Sequence, residues 1–230
     1  LYERGFSAGD VAELYLFEKP RQQGLLFDPL TSLEAHWPIS GPEYGDGALV
    51  SDISGNNHDG TTLGTELTAG RGPGKPGMND VNGSYDMGFS APLSAAVIVL
   101  GSDLPQIGNG NFTWSFWANA TAFPTNDVIL LGNRQSAGAA DSWWIDLNST
   151  GHVSFGAQGA GAPITPIVST IPLKNDWTQV VVTRDATTAA GGTGTLNIYI
   201  DGVLAGTGLA DIDINDPLWP VGDDIRAGHG

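Results

Sequence analysis

Several stretches of the chain alternate hydrophobic with polar side chains, which is the period of a β-strand. In 112–119, alternate positions form two sets that point to opposite faces of a strand. One set is mostly aromatic, and the other contains Trp117 and Asn119. In 143–148, alternate positions again form two sets, and Trp143 lies in the hydrophobic set while Trp144 lies in the other. Further strands are predicted at 33–38, 60–63, 84–89, 95–100, 153–157, 178–184 and 196–200. The strand pattern therefore recurs along most of the chain.

The first twenty residues have a different period. Val11, Leu14 and Tyr15 form one apolar stripe of a helix, and Ser7 with Asp10 has the spacing of a capping box. Lys19-Pro20 ends the predicted helix, because proline cannot continue it. Residues 21–31 are interpreted as a connector.

Turn-forming residues separate the predicted strands. The chain has 230 residues with 33 Gly and 14 Pro, and only 15% are charged, too few for long exposed helices. Asp201-Gly202 is a typical hairpin turn between two strands. These features predict an all-β fold of two antiparallel sheets with a short N-terminal helix.

Charge and cysteine content exclude several classes of function. The formal net charge is −16, which repels the phosphates of nucleic acids. The chain has no cysteine, so disulfides, thiolate zinc sites and a cysteine nucleophile are excluded. No apolar stretch reaches the length of a membrane span.

Five pieces of the chain, in order, carry a resemblance to a known family. They are Leu33-Glu-Ala-His-Trp-Pro, Asp52-Ile-Ser-Gly-Asn-Asn-His-Asp-Gly-Thr, Phe112-Thr-Trp-Ser-Phe-Trp, Asp176-Trp-Thr-Gln-Val-Val-Val-Thr-Arg and Leu196-Asn-Ile-Tyr-Ile-Asp-Gly-Val-Leu. This order resembles the laminin-G-like, concanavalin A-like jelly-roll domains of bacterial surface and secreted proteins. The resemblance covers about 31–230 and implies a jelly-roll sandwich at 32–230 in an extracellular or cell-surface protein.

The order of one motif departs from the family. Leu1-Tyr-Glu-Arg-Gly-Phe-Ser-Ala-Gly-Asp-Val-Ala-Glu-Leu-Tyr resembles the segment that follows the family's last strand, yet here it comes first. We therefore expect 1–20 to end a preceding repeat or to be exchanged with another copy, and the sandwich to lack its last strand. Neighbouring copies of the domain are accordingly expected partners, in tandem or end to end.

The loop at 52–60 is a candidate metal site. It concentrates carboxylate and amide oxygens around glycines, and such oxygens are the ligands that calcium prefers. The resemblance implies a structural Ca²⁺ held by Asp52, Asn56 and Asp59. The alternative is a solvated turn in which these side chains cap their own backbone amides.

Aromatic residues outside the hydrophobic phases form a second candidate site. Trp117, Trp144 and Tyr199 lie in the phase opposite to their strands' core residues, so on a shared sheet they would stand on one outer face. Such rings stack on sugars, and Asn119 offers hydrogen bonds. The alternative is that these rings fill a second packed layer.

The sequence contains no recognisable catalytic pattern. It lacks the Glu-x-Asp-x-x-Glu strand that would place two carboxylates across a sugar, and it lacks a Gly-x-Ser-x-Gly elbow. We therefore predict a non-enzymatic adhesion or structural module with a structural calcium. The alternative is a carbohydrate-binding module of a secreted or surface protein.

Overall fold

The structure, a computed structural model, describes residues 5–18, 32–38, 47–63, 71–72, 84–85, 97–99, 110–120, 122–132, 142–158, 165–186, 194–210 and 226–229. Its elements are one helix and fourteen strands within these ranges. They are α1 (Ala8–Glu18), β1 (Leu49–Val50), β2 (Gly60–Leu63), β3 (Arg71–Gly72), β4 (Ser84–Tyr85), β5 (Val97–Val99), β6 (Phe112–Asn119), β7 (Val128–Gly132), β8 (Ser142–Leu147), β9 (His152–Gln158), β10 (Ile167–Pro172), β11 (Trp177–Asp185), β12 (Gly194–Ile200), β13 (Val203–Ala210) and β14 (Arg226–His229).

Two antiparallel sheets form the sandwich. The larger has eight strands in the order β1-β2-β5-β14-β7-β8-β9-β10, and the smaller has four in the order β13-β12-β11-β6. A separate ribbon pairs β3 with β4. The predicted all-β sandwich with a short N-terminal helix is confirmed.

Aromatic rings fill the space between the two sheets. Trp114 of the smaller sheet stacks on Trp143 of the larger, with ring centroids 5.3 Å apart. Trp143 also stacks on Phe155, and Phe155 contacts Phe112. Along each strand these residues alternate with outward ones, so the period-two pattern located the core correctly.

The helix begins as its sequence predicts. The backbone N–H of Ser7 donates to Asp10 Oδ2 at 2.9 Å, and the N–H of Asp10 donates to Ser7 Oγ at 3.2 Å. This reciprocal capping box satisfies two amides that the first helical turn leaves without partners.

The segment that contains the helix packs on the outer face of the smaller sheet. Phe6, Val11 and Leu14 are buried against Val181 and Tyr199. Before the helix, the N–H of Phe6 donates to Thr113 Oγ1 at 3.2 Å. The segment thus covers much of one sheet face with a second small hydrophobic cluster.

The predictions about the organisation of the chain have mixed outcomes. The strand expected at 33–38 is a single bridge at Leu33 followed by irregular backbone. Residues 226–229 form β14, which lies between β5 and β7 in the larger sheet. The connector 21–31 lies outside the described residues, and the exchange of 1–20 and the missing last strand stay predictions.

No helix in the described part is long and apolar enough to cross a membrane.

Candidate functional site

Two aromatic rings meet between helix α1 and the smaller sheet. Tyr15 comes from the helix and Trp117 from the outward phase of β6, and both side chains are partly exposed. Their ring centroids lie 6.0 Å apart with an angle of 25° between the ring planes. The two rings are therefore stacked with their planes tilted slightly against each other.

The β12–β13 hairpin supports Tyr15 from below. Asp201 and Gly202 adopt φ values of 50° and 77°, as a two-residue hairpin turn requires. A Cβ on Gly202 would lie 3.2 Å from the Tyr15 side chain, so the helix rests closely on the turn. The predicted Asp201-Gly202 turn is therefore confirmed, and it has the further role of seating Tyr15.

Gln179 lies beside Trp117 on the same outer face, because the two residues are register partners in the β6–β11 ladder. Its side chain is fully buried. The N–H of Gln179 donates to Asp201 Oδ1, and the N–H of Asp201 donates to the Gln179 carbonyl, both at 3.0 Å. These two bonds fix the turn relative to the strand that pairs with β6.

Lys174 adds a charged pair beside the rings. Its ammonium group contacts Asp201 Oδ2, while 62% of its side chain is exposed. The hydrogen bond and charge of Asp201 raise the pKa of Lys174, and Tyr15 and Asp176 contribute smaller rises. Lys174 therefore lies at the hairpin turn on which Tyr15 rests.

Asn119 completes this surface at the end of β6. It lies two residues after Trp117 and hence on the same face, and its side chain is exposed. We refer below to Tyr15, Trp117, Asn119, Lys174 and Asp201 together as the Tyr15–Trp117 surface. It combines flat apolar rings with an amide, an ammonium and a carboxylate.

Tyr199 belongs to the predicted face but not to the exposed surface. It is only 3% exposed because the helix segment covers it, and this burial raises its pKa. The expectation that Tyr199 stands toward solvent is corrected: it belongs to the second packed layer that was the alternative.

Trp144 lies on the other sheet. It belongs to β8 of the eight-stranded sheet, whereas Trp117 and Tyr199 belong to the four-stranded one. Its indole lies against Gly156, where a Cβ would approach the ring to 2.4 Å. Trp144 is 9% exposed, and its neighbour on the same face, Asp146, accepts a hydrogen bond from Ser154. The expected platform of three aromatics on one face is therefore wrong.

The loop at 52–59 forms hydrogen bonds with the backbone of 33–36. The N–H of His36 donates to Asp52 Oδ1 at 2.8 Å, and Asn56 Nδ2 donates to the carbonyls of Leu33 and Glu34. His58 adds a contact of 2.8 Å between its Nε2 and Glu34 Oε1. The loop thus binds a neighbouring segment through its side chains.

The predicted calcium ligands have hydrogen-bond partners within the protein. Asp52 accepts four hydrogen bonds, from the N–H groups of His36, Ser54 and His58 and from Ser54 Oγ. Asp59 Oδ1 accepts from the N–H of Asp52 at 2.8 Å. Among the described residues, no group of three or more His, Cys, Asp or Glu side chains could hold a metal ion. This bonding fits the alternative of a loop that caps its own amides, and the calcium stays a prediction.

These bonds also set the charge state of Asp52. Burial by itself would raise the pKa of its carboxyl, but the four donated hydrogen bonds outweigh burial and lower the pKa. The Asp52 carboxylate is therefore stabilised as an anion, and its negative charge strengthens the four hydrogen bonds that it accepts.

Sequence reasoning did not assign Tyr15, Lys174 or Asp201 to a site. Tyr15 was placed only in the helix stripe, and Asp201 only in a turn. Nothing local in the sequence brings Tyr15 to Trp117, because more than a hundred residues separate them and their contact depends on where the helix docks.

The chain is similar to one protein family and to several solved structures. No curated protein matches it. Among solved structures, the CBM40 module of the Ruminococcus gnavus IT-sialidase, bound to α2,3-sialyllactose, is similar with 13% identity and a TM-score of 0.38. This likeness covers 51% of the present chain and 62% of that one, so the chain spans about six tenths of the module's length.

A second solved structure is the endo-β-1,4-glucuronan lyase of the fungus Trichoderma reesei, with 14% identity and a TM-score of 0.40. It covers 84% of the present chain and 79% of that chain. Residues 94–227 match the family Laminin_G_3, described as the concanavalin A-like lectin/glucanases superfamily. Because this match spans more than half of the sequence, the chain belongs to the concanavalin A-like lectin/glucanase superfamily.

Proposed function

We propose that the chain is a non-enzymatic carbohydrate-binding module of an extracellular or cell-surface protein, and that it binds glycans on the Tyr15–Trp117 surface. One observation carries the proposal: a partly exposed tryptophan stacks on a tyrosine and shares its face with the exposed Asn119. Aromatic rings contribute large apolar contact areas, and a sugar presents both C–H groups and hydroxyls.

The surroundings of the two rings suit a binding surface. Tyr15 is held by the hairpin and Trp117 by the β6–β11 ladder, so a ligand would order few side chains on binding. Asn119, Lys174 and Asp201 offer both donors and acceptors to hydroxyl groups. The membership in a superfamily of lectins and glucanases supports a sugar as the ligand.

A binding role is favoured over hydrolysis. The sequence lacks the strand motif that sets two carboxylates across a glycosidic bond. Asp201, the carboxylate of the Tyr15–Trp117 surface, accepts hydrogen bonds from Lys174 and from the N–H of Gln179. A module of this kind would attach its parent protein to a polysaccharide surface, which includes the predicted adhesive role.

The proposal is tested by Trp117→Ala on a broad glycan array, followed by calorimetric titration of the glycans that bind. We expect the wild type to bind and the variant to lose at least about tenfold in affinity, since stacking is removed. Ile53→Ala is the matched control, because Ile53 is 60% exposed in the loop at 52–59. Circular dichroism must show that both variants are folded. Absence of wild-type binding to any glycan, or equal binding by Trp117→Ala, would contradict the proposal.

A further inference from the structure

Lys174 is an exposed cation at the hairpin turn on which Tyr15 rests. Of the two lysine and arginine side chains that the structure describes, Lys174 and Arg184, Arg184 is fully buried and Lys174 is 62% exposed. An exposed ammonium beside an aromatic surface would ordinarily favour a carboxylated sugar, because the charge attracts the acid and donates hydrogen bonds to it.

Asp201 cancels that attraction. Its Oδ2 contacts the ammonium of Lys174, while its Oδ1 accepts from the N–H of Gln179 at 3.0 Å. The side chain is only 15% exposed and belongs to a hairpin turn, so its position is fixed by backbone as well as by charge. The local sum of the two charges is therefore zero.

The charge of the whole chain acts in the same direction. With a net charge of −16, the potential around the domain repels anions at distances within the Debye length. An acidic glycan loses hydration when it binds. The neutral Lys174–Asp201 pair, in the negative potential of the whole chain, does not compensate for that loss with an attractive charge.

We infer that the Tyr15–Trp117 surface selects uncharged sugar rings and that Asp201, by neutralising Lys174, is the residue that excludes acidic ones. This inference rests on the proposed function and adds a substrate class to it. It assigns to Asp201 a specificity role besides its structural role in the turn.

Asp201→Asn separates the charge of Asp201 from its structure. Asparagine tolerates a positive φ better than most residues, and its Oδ1 can still accept from the N–H of Gln179. The substitution removes the negative charge and leaves Lys174 exposed without its carboxylate. Lys174→Gln is the matched control, since it removes the cation and leaves the turn unchanged.

The experiment measures binding of the full chain and both variants to neutral β-linked oligosaccharides and to uronic acid oligosaccharides of the same linkage. We expect the wild type to bind the neutral set and not the acidic set, and we expect Lys174→Gln to gain no affinity for the acidic set. Asp201→Asn should gain affinity for the acidic set by about two- to fivefold, the effect of one exposed charge pair, and added salt should remove that gain. Thermal melting checks that each variant is folded.

The outcomes separate the two proposals. Wild-type binding to acidic sugars as tight as to neutral ones would overturn the selection by charge while leaving the binding function in place. An Asp201→Asn variant that is folded, binds neutral sugars and gains no affinity for acidic ones would overturn the role of Asp201. No binding of the wild type to either set, or to the broad array, would overturn the binding function itself.

Discussion

Gly156 shows how a single missing side chain places an aromatic ring. Three atoms of the Trp144 indole would lie 2.4–2.6 Å from a Cβ at this position, closer than carbon atoms can approach. Glycine lets the indole lie flat on the neighbouring strand of the eight-stranded sheet. In the sequence, Gly156 looks only like a small residue within a strand pattern.

Gly156→Ala is therefore expected to destabilise the fold by about 1–3 kcal/mol, the usual cost of overpacking. Urea unfolding of the purified chain measures the change. Gly9→Ala is the matched control, because a Cβ there meets only Ser7 Oγ at 3.7 Å and the site is helical. The control should be neutral or more stable by up to about 1 kcal/mol. Equal stability of Gly156→Ala and wild type would mean that the indole lies elsewhere.

Asp52 makes stability depend on pH in the acid range. The pKa of its carboxyl is lowered in the folded state, so its contribution is present above the ordinary value, about 3.9, and is lost as the pH falls through the lowered value. We expect Asp52→Asn to lower stability by about 1–2 kcal/mol at neutral pH, since an amide cannot accept all four hydrogen bonds.

The pH dependence of melting distinguishes this effect from a general loss. The gap in melting temperature between wild type and Asp52→Asn should begin to narrow below about pH 4, where Asp52 of the unfolded chain takes up a proton, and should narrow further until the folded carboxyl is protonated at its lowered pKa. A gap that stays constant down to pH 2 would show that the charge of Asp52 contributes nothing.

Helix α1 is held by its own cap and by a small apolar contact. The capping box between Ser7 and Asp10 and the stripe of Val11 and Leu14 were predicted from spacing alone and are confirmed. Local rules suffice here because both features involve residues within one or two turns of each other. The sheet face beneath the helix could not be predicted in the same way.

Leu14→Ala is expected to loosen the helix more than the sandwich. Leu14 is 1% exposed, and its truncation should cost about 2–4 kcal/mol of packing against Val181 and Tyr199. Hydrogen exchange should become faster in Ala8–Glu18 while β11 and β12 stay protected. Ser7→Ala removes the cap but no packing and should cost only about 1 kcal/mol. Faster exchange throughout β11 in Leu14→Ala would show that the helix is part of the cooperative core.

The whole domain offers a direct test of the predicted calcium. If the loop only caps its own amides, as the four hydrogen bonds to Asp52 fit, neither millimolar calcium nor a chelator should change the melting temperature. A ligand that binds only the folded state would raise it by mass action. A rise with calcium that disappears in Asp59→Asn would instead support the predicted metal site.

The sequence by itself determined the fold class, the helix and its cap, the Asp201-Gly202 turn and the core phase of Trp114, Trp143 and Phe155. Each of these follows from neighbours in sequence, through alternation, capping or turn geometry. Tertiary structure decided the rest. Strand order put Trp144 on a different sheet from Trp117, and the docked helix buried Tyr199 while bringing Tyr15 to Trp117. The physical reason is that alternation assigns a residue to a face of its strand, whereas what covers that face depends on contacts between segments far apart in sequence.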